Sequence, residues 1–321
     1  MASAATAPPR TSAKESLSTW RWTDRVAYVA CWAAGVLLCL IAVAIVLYML
    51  YRGLQSLDLD LLAERPAEGV SQRTAGGFFD PIVGSVVLAL VGTAVAVPLG
   101  VATAVWIVEY GRPRWLARAV ESGIEVVAGT PSIVLAIFGL AFFSQQLFGF
   151  LSFKAQGDAV FGRSFMIAGG MMSLIALPLV FAATREALLS VPNHVREASY
   201  ALGKTKIATI RRVLLPSIRP GIATGGALGM GRIIGDTAIV VVLLGATLRT
   251  QPYEEAGTVF GFLRGTGSTL TSYVYNNSPA GEGNAFDKAY AAAFVLLLIV
   301  IALNAVVDLI GRGGKAAAQW R

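Results

Sequence analysis

The chain has 321 residues, 55% of them hydrophobic and only 14% charged, with a mean hydropathy of +0.66. Soluble domains carry roughly a quarter charged residues, so most of this surface faces something other than water. A net charge of +7 would suit nucleic acid, but the basic residues are scattered over short segments without an aromatic-interleaved stripe, which argues against that class.

Residues 1–25 begin with an Ala/Ser/Thr/Pro-rich stretch and read as a disordered N-terminal tail on the cytoplasmic side. The first apolar run starts late and is too long for the core of a cleaved signal peptide. Residues 26–311 then form the membrane domain, and 312–321 a short basic C-terminal tail. Crossing about 30 Å of hydrocarbon takes about 20 helical residues. Six runs meet that length: residues 26–51, 81–108, 121–153, 164–184, 218–248 and 288–310. The first carries Tyr28 and Trp32 near one end and Tyr48 and Tyr51 near the other, as an aromatic belt would. Small residues inside every run allow close helix approach, and Pro98, Pro131 and Pro178 predict kinks. The fold class is therefore all-α integral membrane, with six transmembrane helices.

Cys31 and Cys39 lie eight positions apart on one helix, about 12 Å of rise and too far for a bridge between them. The single histidine, His194, has no second His or Cys near it, so no metal site is expected. Of the 26 Lys and Arg residues, seventeen fall on the segments that include both termini, eight on the opposite set, and Arg232 inside the fifth run. That excess predicts a multi-pass protein of the cell (inner or plasma) membrane, with both termini cytoplasmic and lipid around its spans. The other long loops, residues 52–80 and 249–287, are rich in Gly, Ser, Asn and acids and read as solvated outer loops.

The inner loop, residues 190–217, differs in kind. Asn193 is a candidate N-cap for a short helix with Glu197 in an early turn. Gly203 can adopt the left-handed conformation that ends it. A basic amphipathic helix follows, with Ile207, Ile210, Val213 and Leu214 on one side, and Pro216 and Pro220 stop it. The product is a helix–Gly–helix knob. Gly203-Lys204-Thr205 looks like the end of a P-loop, but Ala198 stands where that pattern needs glycine.

Glu197-Ala198-Ser199, three residues, Gly203, nine residues, then Val213-Leu214-Leu215-Pro216 resembles the EAA signature of ABC importer permeases, with Ser199 for alanine and Val213 for isoleucine. The resemblance implies a type I ABC importer permease-like fold. In that family the knob sits in a groove of a separate ATPase subunit, so Glu197, Ala198, Ser199, Gly203, Val213 and Pro216 become the expected coupling residues. Further stretches resemble the phosphate-specific transport permeases, the PstA-like branch more than the PstC-like one. They are Val108-Glu109-Tyr110-Gly111, Gly129-Thr130-Pro131-Ser132-Ile133-Val134, Arg185-Glu186 and Gly231-Arg232-Ile233-Ile234-Gly235-Asp236-Thr237. Ala182 and Arg185 depart from the PstA-like pattern, and Arg185-Glu186 matches the PstC-like arrangement better.

The implied function is the non-catalytic permease half of an ATP-driven phosphate importer. Its implied partners are two copies of an ABC ATPase, a second permease and an extracytoplasmic phosphate-binding protein. The chain itself is expected to hold no cofactor, ATP being bound by the partner. Arg232 and Asp236, at i and i+4, are expected to reach each other on one helix face. They serve either as an anchoring ion pair or as a site where Arg232 meets the anion and Asp236 holds it when empty. Thr130 and Ser132 flank Pro131, where a helix break would aim hydroxyls into a cavity and a simple kink would only aid packing. Arg185 and Glu186 are candidates for an inner gate or a positive-inside anchor. Another oxyanion (sulfate, molybdate or tungstate) and an ATPase-independent secondary transporter are the competing readings. Asn276-Asn277-Ser278 matches a glycosylation pattern that the implied bacterial setting would leave unused.

Overall fold

A computed structural model of the chain describes residues 21–67, 76–152, 161–245, 257–279, 281, 283 and 285–312. Most of the N-terminal tail and nearly all of the C-terminal one lie outside them. The described residues are helices joined by short turns. They fall into two compact units, residues 1–51 and 52–321.

The described part of the first unit is mostly the helix α1 (Trp22–Ser56) as far as Tyr51, with its large apolar side chains mostly exposed; the last turn of α1 belongs to the second unit. Cys31 and Cys39 are both free on the surface of α1. In the second unit, α2 (Leu59–Ala63) precedes α3 (Phe79–Val105), which runs on through a π-helical turn, Trp106–Tyr110. Gly111, at φ 46°, ends that turn and donates its N–H to the Trp106 carbonyl at 2.8 Å. Next come α4 (Arg114–Gly129), α5 (Ser132–Phe143) and α6 (Phe165–Ser190). The Ser164 hydroxyl caps α6 by accepting the Ile167 N–H at 3.1 Å. The knob is α7 (Asn193–Ala201), α8 (Lys206–Thr209), a second π turn (Ile210–Leu214) and α9 (Leu215–Ser217). The chain continues with α10 (Arg219–Gly235), α11 (Ala238–Leu243), α12 (Val259–Arg264), α13 (Leu270–Asn277) and α14 (Phe286–Arg312).

Four of these are long and apolar enough to cross a membrane: α1, α3 with its π turn, α6 and α14. The third predicted run is the pair α4 and α5, bent by 107° at Thr130-Pro131. Pro98 and Pro178 sit inside α3 and α6, which continue through them. At Pro131 the chain turns because Thr130 is extended (ψ 129°), as a residue before proline prefers, and Pro131 itself is extended too (ψ 135°). The fifth run is also divided. Asp236 is extended, and α10 and α11 lie on either side of it.

α6 is the centre of the bundle, packed between α3 and α10. Lipid is as apolar as a leucine side chain, so helices in a membrane associate through close packing rather than the hydrophobic effect. Glycine makes that possible here. A Cβ at Gly100 would lie 2.8 Å from Val180 Cγ1, and one at Gly225 would lie 3.1 Å from Val180 Cα. Leu88, Ala96, Met172, Ala176, Val180 and Ile233 fill the resulting core.

The predicted solvated loops prove to be partly folded onto the bundle. Leu57, Leu61 and Leu62 pack with Phe78 and Tyr273, and α13 packs on α14 and α3. Polar loop composition misled here because its hydroxyls are consumed internally. Ser85 Oγ accepts the Leu270 N–H at 2.8 Å while donating to the Pro81 carbonyl at 2.9 Å. Thr271 Oγ1 donates to the Ile234 carbonyl at 2.7 Å, and Thr269 and Ser272 cap α13 reciprocally. Tyr273 is fully buried, and burial pushes its phenol up to about 12, so it stays neutral. Its hydroxyl has no hydrogen-bond partner among the described residues. A buried unsatisfied hydroxyl costs about 1–3 kcal/mol, so Tyr273→Phe is expected to leave thermal stability equal or higher, read as the melting temperature of the purified protein.

Candidate functional site

The knob is built on local rules. Gly203, at φ 73°, donates its N–H to the Tyr200 carbonyl at 2.9 Å, and Lys204 donates to Ser199 at 3.2 Å. This pair of bonds is the Schellman ending, for which the sequence supplies the left-handed glycine. The start of α7 differs from expectation. Asn193 is its first residue, Pro192 holds the cap position, and no side chain caps it. Thr205 does cap α8, its hydroxyl accepting the Ala208 N–H at 3.3 Å.

Ser199 and Thr209 then join the two arms of the knob through a buried hydroxyl pair at 2.8 Å. The departure from alanine at position 199 thus adds a hydrogen bond rather than a defect. Thr209 also donates to the Thr205 carbonyl at 3.1 Å, so Ser199→Ala leaves it satisfied. The loss is expected to be about 0.5–1.5 kcal/mol, seen as a lower melting temperature with transport retained.

The expected apolar face is split by the second π turn, which adds a residue to its helical ring. Ile210 and Leu214 are buried with Leu188, Phe181 and Ile218, and with Ile107 and Val108 from the first π turn. Ile207 points away and is 69% exposed, as is Leu202 at 78%. Tyr200, Glu197 and Ala198 are exposed as well, whereas Val213 and Pro216 are half-buried. One face of the knob is thus anchored in the bundle and the other is free, apolar and edged by charge.

Polar contacts tie this knob to the end of α3. Arg196 Nε donates to Glu109 Oε1 at 3.0 Å, with the two side chains only 15% and 6% exposed. The Lys206 ammonium donates to the Glu109 carbonyl and lies 4.6 Å from the centre of the Tyr110 ring. Sequence reasoning noted residues 108–111 only as a family stretch and counted Arg196 and Lys206 as loop charge. Separations of 87 and 97 positions left no local signal of the contacts.

Arg232 and Asp236 do meet, Nη2 to Oδ2 at 3.8 Å, with side chains 49% and 3% exposed. They do not share a continuous helix face as expected, because α10 ends at Gly235. Asp236 instead turns its Oδ1 to accept the Ile239 N–H at 3.0 Å, capping α11, while its other oxygen faces the guanidinium. Among the described residues, nothing beyond their chain neighbours and own helix backbone lies within 4 Å of where a Cβ would stand at Gly231 or Gly235, and Arg232 beside Gly231 is exposed. A half-exposed guanidinium held by a buried carboxylate can present its remaining donors to an oxyanion.

Thr130 lies at the 107° break but turns its hydroxyl back onto the Val126 carbonyl at 2.7 Å. Ser132 begins α5, which packs on α11, so the two half-helices that follow the breaks are neighbours. Arg185 pairs with Glu121 of α4 at 3.3 Å in a partly exposed contact, and Glu186 is exposed. Among the described residues no three His, Cys, Asp or Glu side chains gather as a metal site requires.

The profile of a family described as binding-protein-dependent transport system inner membrane component matches residues 96–313. Phosphate transport system permease protein PstA 1 of Mycobacterium tuberculosis is 35% identical over 239 residues, covering 74% of this chain and 72% of that one. Phosphate transport system permease protein PstC of Xylella fastidiosa is 28% identical over 290 residues, covering 86% of each. A crystal structure of a bacterial ABC transporter involved in the import of the acidic polysaccharide alginate contains a chain with a TM-score of 0.56 at 18% identity, covering 91% of this chain and 98% of that one. At that identity the likeness concerns the fold, which is that of an ABC importer permease. The chain belongs to the binding-protein-dependent transport system inner membrane component family, among permeases of the phosphate transport system type.

Proposed function

We propose that this chain is the permease subunit of an ATP-driven importer of inorganic phosphate. The observation that carries the reading is the knob of residues 193–217. It is closed by a left-handed glycine, anchored on one face, and presents Leu202, Ile207 and Tyr200 on the other. A free apolar face rimmed by Glu197, Lys204 and Arg211 is what a soluble partner would grip, and the chain has relatives named as phosphate transport permeases.

In this reading the knob faces the cytoplasm, both termini lie on the same side, and residues 26–311 make six crossings. The broken runs 121–153 and 218–248 supply two of them. Two ATPase copies would close on ATP and push the knobs of this chain and a second permease, opening the pathway outward. An extracytoplasmic binding protein would release phosphate into it. Arg232 would receive the dianion and Asp236 would hold the guanidinium between cycles. Arg185 and Glu121 would part or pair at the inner end, and Thr130 and Ser132 would mark the bend around which the pathway widens. No bond chemistry falls to this chain, which binds no cofactor of its own.

The test is gentle purification from the native membrane, identification of the co-purifying chains, and ATP-dependent uptake of labelled phosphate in vesicles with sulfate and molybdate as competitors. An ATPase and a phosphate-binding protein in the complex, with uptake that sulfate fails to compete, is the expected result. Transport without any ATPase would overturn the reading, and efficient competition by sulfate would reassign the substrate.

A further inference from the structure

The knob is covalently joined to α6 through Val191-Pro192 and to α10 through Ile218, but not to α3. Beside the apolar packing of Ile107 and Val108 on Ile210 and Leu214, what joins it to α3 is a polar cluster around one residue, Glu109. Arg196 spends its three nitrogens on three partners: Nε on Glu109 Oε1 at 3.0 Å, Nη1 on the Val191 carbonyl at 2.7 Å and Nη2 on the Leu188 carbonyl at 2.9 Å. The last two are carbonyls at the end of α6, and the Leu188 one also accepts the Val191 N–H at 3.3 Å. One guanidinium therefore fastens α7, the end of α6 and the end of α3 together. Lys206, on the other arm, adds a second fastening to the same segment through the Glu109 carbonyl and the Tyr110 ring. Two attachments from two arms prevent the knob from swivelling about one.

We infer that Arg196, with Glu109 and Lys206, is a positioning cluster that makes α3 move with the knob, so that a push on residues 193–217 reaches a third membrane helix. This rests on the proposed function, since it presumes a motor acting on the knob. Three features favour a mechanical role over simple stability. The pair is largely buried, and a buried ion pair adds little net stability over an apolar contact. It sits where two π turns pack together, at Trp106–Tyr110 and Ile210–Leu214, a helix irregularity that recurs at functional positions. And its geometry uses the planar fork of arginine, which a lysine of equal charge cannot reproduce.

The experiment uses the assembled transporter in vesicles, with ATP hydrolysis and phosphate uptake measured on the same preparation. Arg196→Lys keeps the charge and loses the three-way fork, so phosphate moved per ATP is expected to fall about 10-fold while hydrolysis stays within about 2-fold of the parent. Glu109→Gln keeps an acceptor oxygen without the charge, and a fall of about 3-fold is expected. Should Arg196→Lys fail to assemble, Glu109→Gln decides alone. Unchanged phosphate per ATP in the variants overturns the inference, as does a proportional loss of hydrolysis and uptake with the ATPase gone from the complex. If the parent complex holds no ATPase or moves no phosphate, the proposed function fails first and takes the inference with it.

Discussion

Replacing Arg232 by alanine is expected to lower phosphate uptake by about 10- to 100-fold, because a charge-assisted hydrogen bond to an oxyanion is worth about 1.5–3 kcal/mol. Two effects contribute and can be separated. Losing the guanidinium removes donors from the pathway, and it also strands the Asp236 carboxylate, which is only 3% exposed. An uncompensated buried charge is costly by itself. Asp236→Asn removes that charge yet keeps an oxygen able to accept the Ile239 N–H, so the cap on α11 survives. The double change R232A/D236N therefore relieves the stranded charge without restoring the donors. Uptake that stays low while the melting temperature recovers identifies Arg232 as a contact for the anion. Recovery of both together would make the pair an anchor for the end of α10 and nothing more. Arg232→Lys should fall between, since a point charge replaces a fork.

Gly203→Pro should abolish ATP-driven uptake, and the neighbouring substitutions should form a series. Proline fixes φ near −65°, whereas the knob requires 73° at this residue. It also removes the N–H that bonds the Tyr200 carbonyl, leaving the Schellman ending with one of its two bonds. Gly203→Ala keeps that N–H, and among the described residues nothing but its chain neighbours stands within 4 Å of where its Cβ would go, so it bears only the left-handed strain of about 1–2 kcal/mol. Asparagine tolerates that region better than alanine. Uptake and co-purification of the ATPase should therefore decline in the order Gly, Asn, Ala, Pro. A proline variant with full uptake would remove the knob from the coupling path.

The helices of this protein were legible because each signal was local. Runs of about 20 apolar residues and the left-handed glycine at 203 are local signals, and the structure follows the glycine and four of the six runs as whole helices. The readings that needed correction involved distance or an alternative local partner. Residues 257–279 looked like a solvated loop because their hydroxyls are polar, yet Ser85 of α3 reaches the start of α13 there. Asn193 looked like a cap, but Pro192 holds the extended cap position ahead of it. Ile207 shares a helical stripe with Ile210 in sequence, but Ile207 is exposed whereas Ile210, which opens the π turn, is buried in the bundle.

Sequence by itself determined that this chain is a bundle of apolar helices with a glycine-hinged basic knob and one arginine stranded in an apolar run. Those are properties of composition and of spacing along a single helix. Only the tertiary structure decided that Glu109 meets Arg196, that Asp236 caps one half-helix while facing the arginine of the other, and that the bend at Pro131 reaches 107°. Hydrophobic pattern fixes which residues enter a membrane, but contacts between helices depend on where glycines let backbones touch. A sequence without its fold carries no measure of that distance.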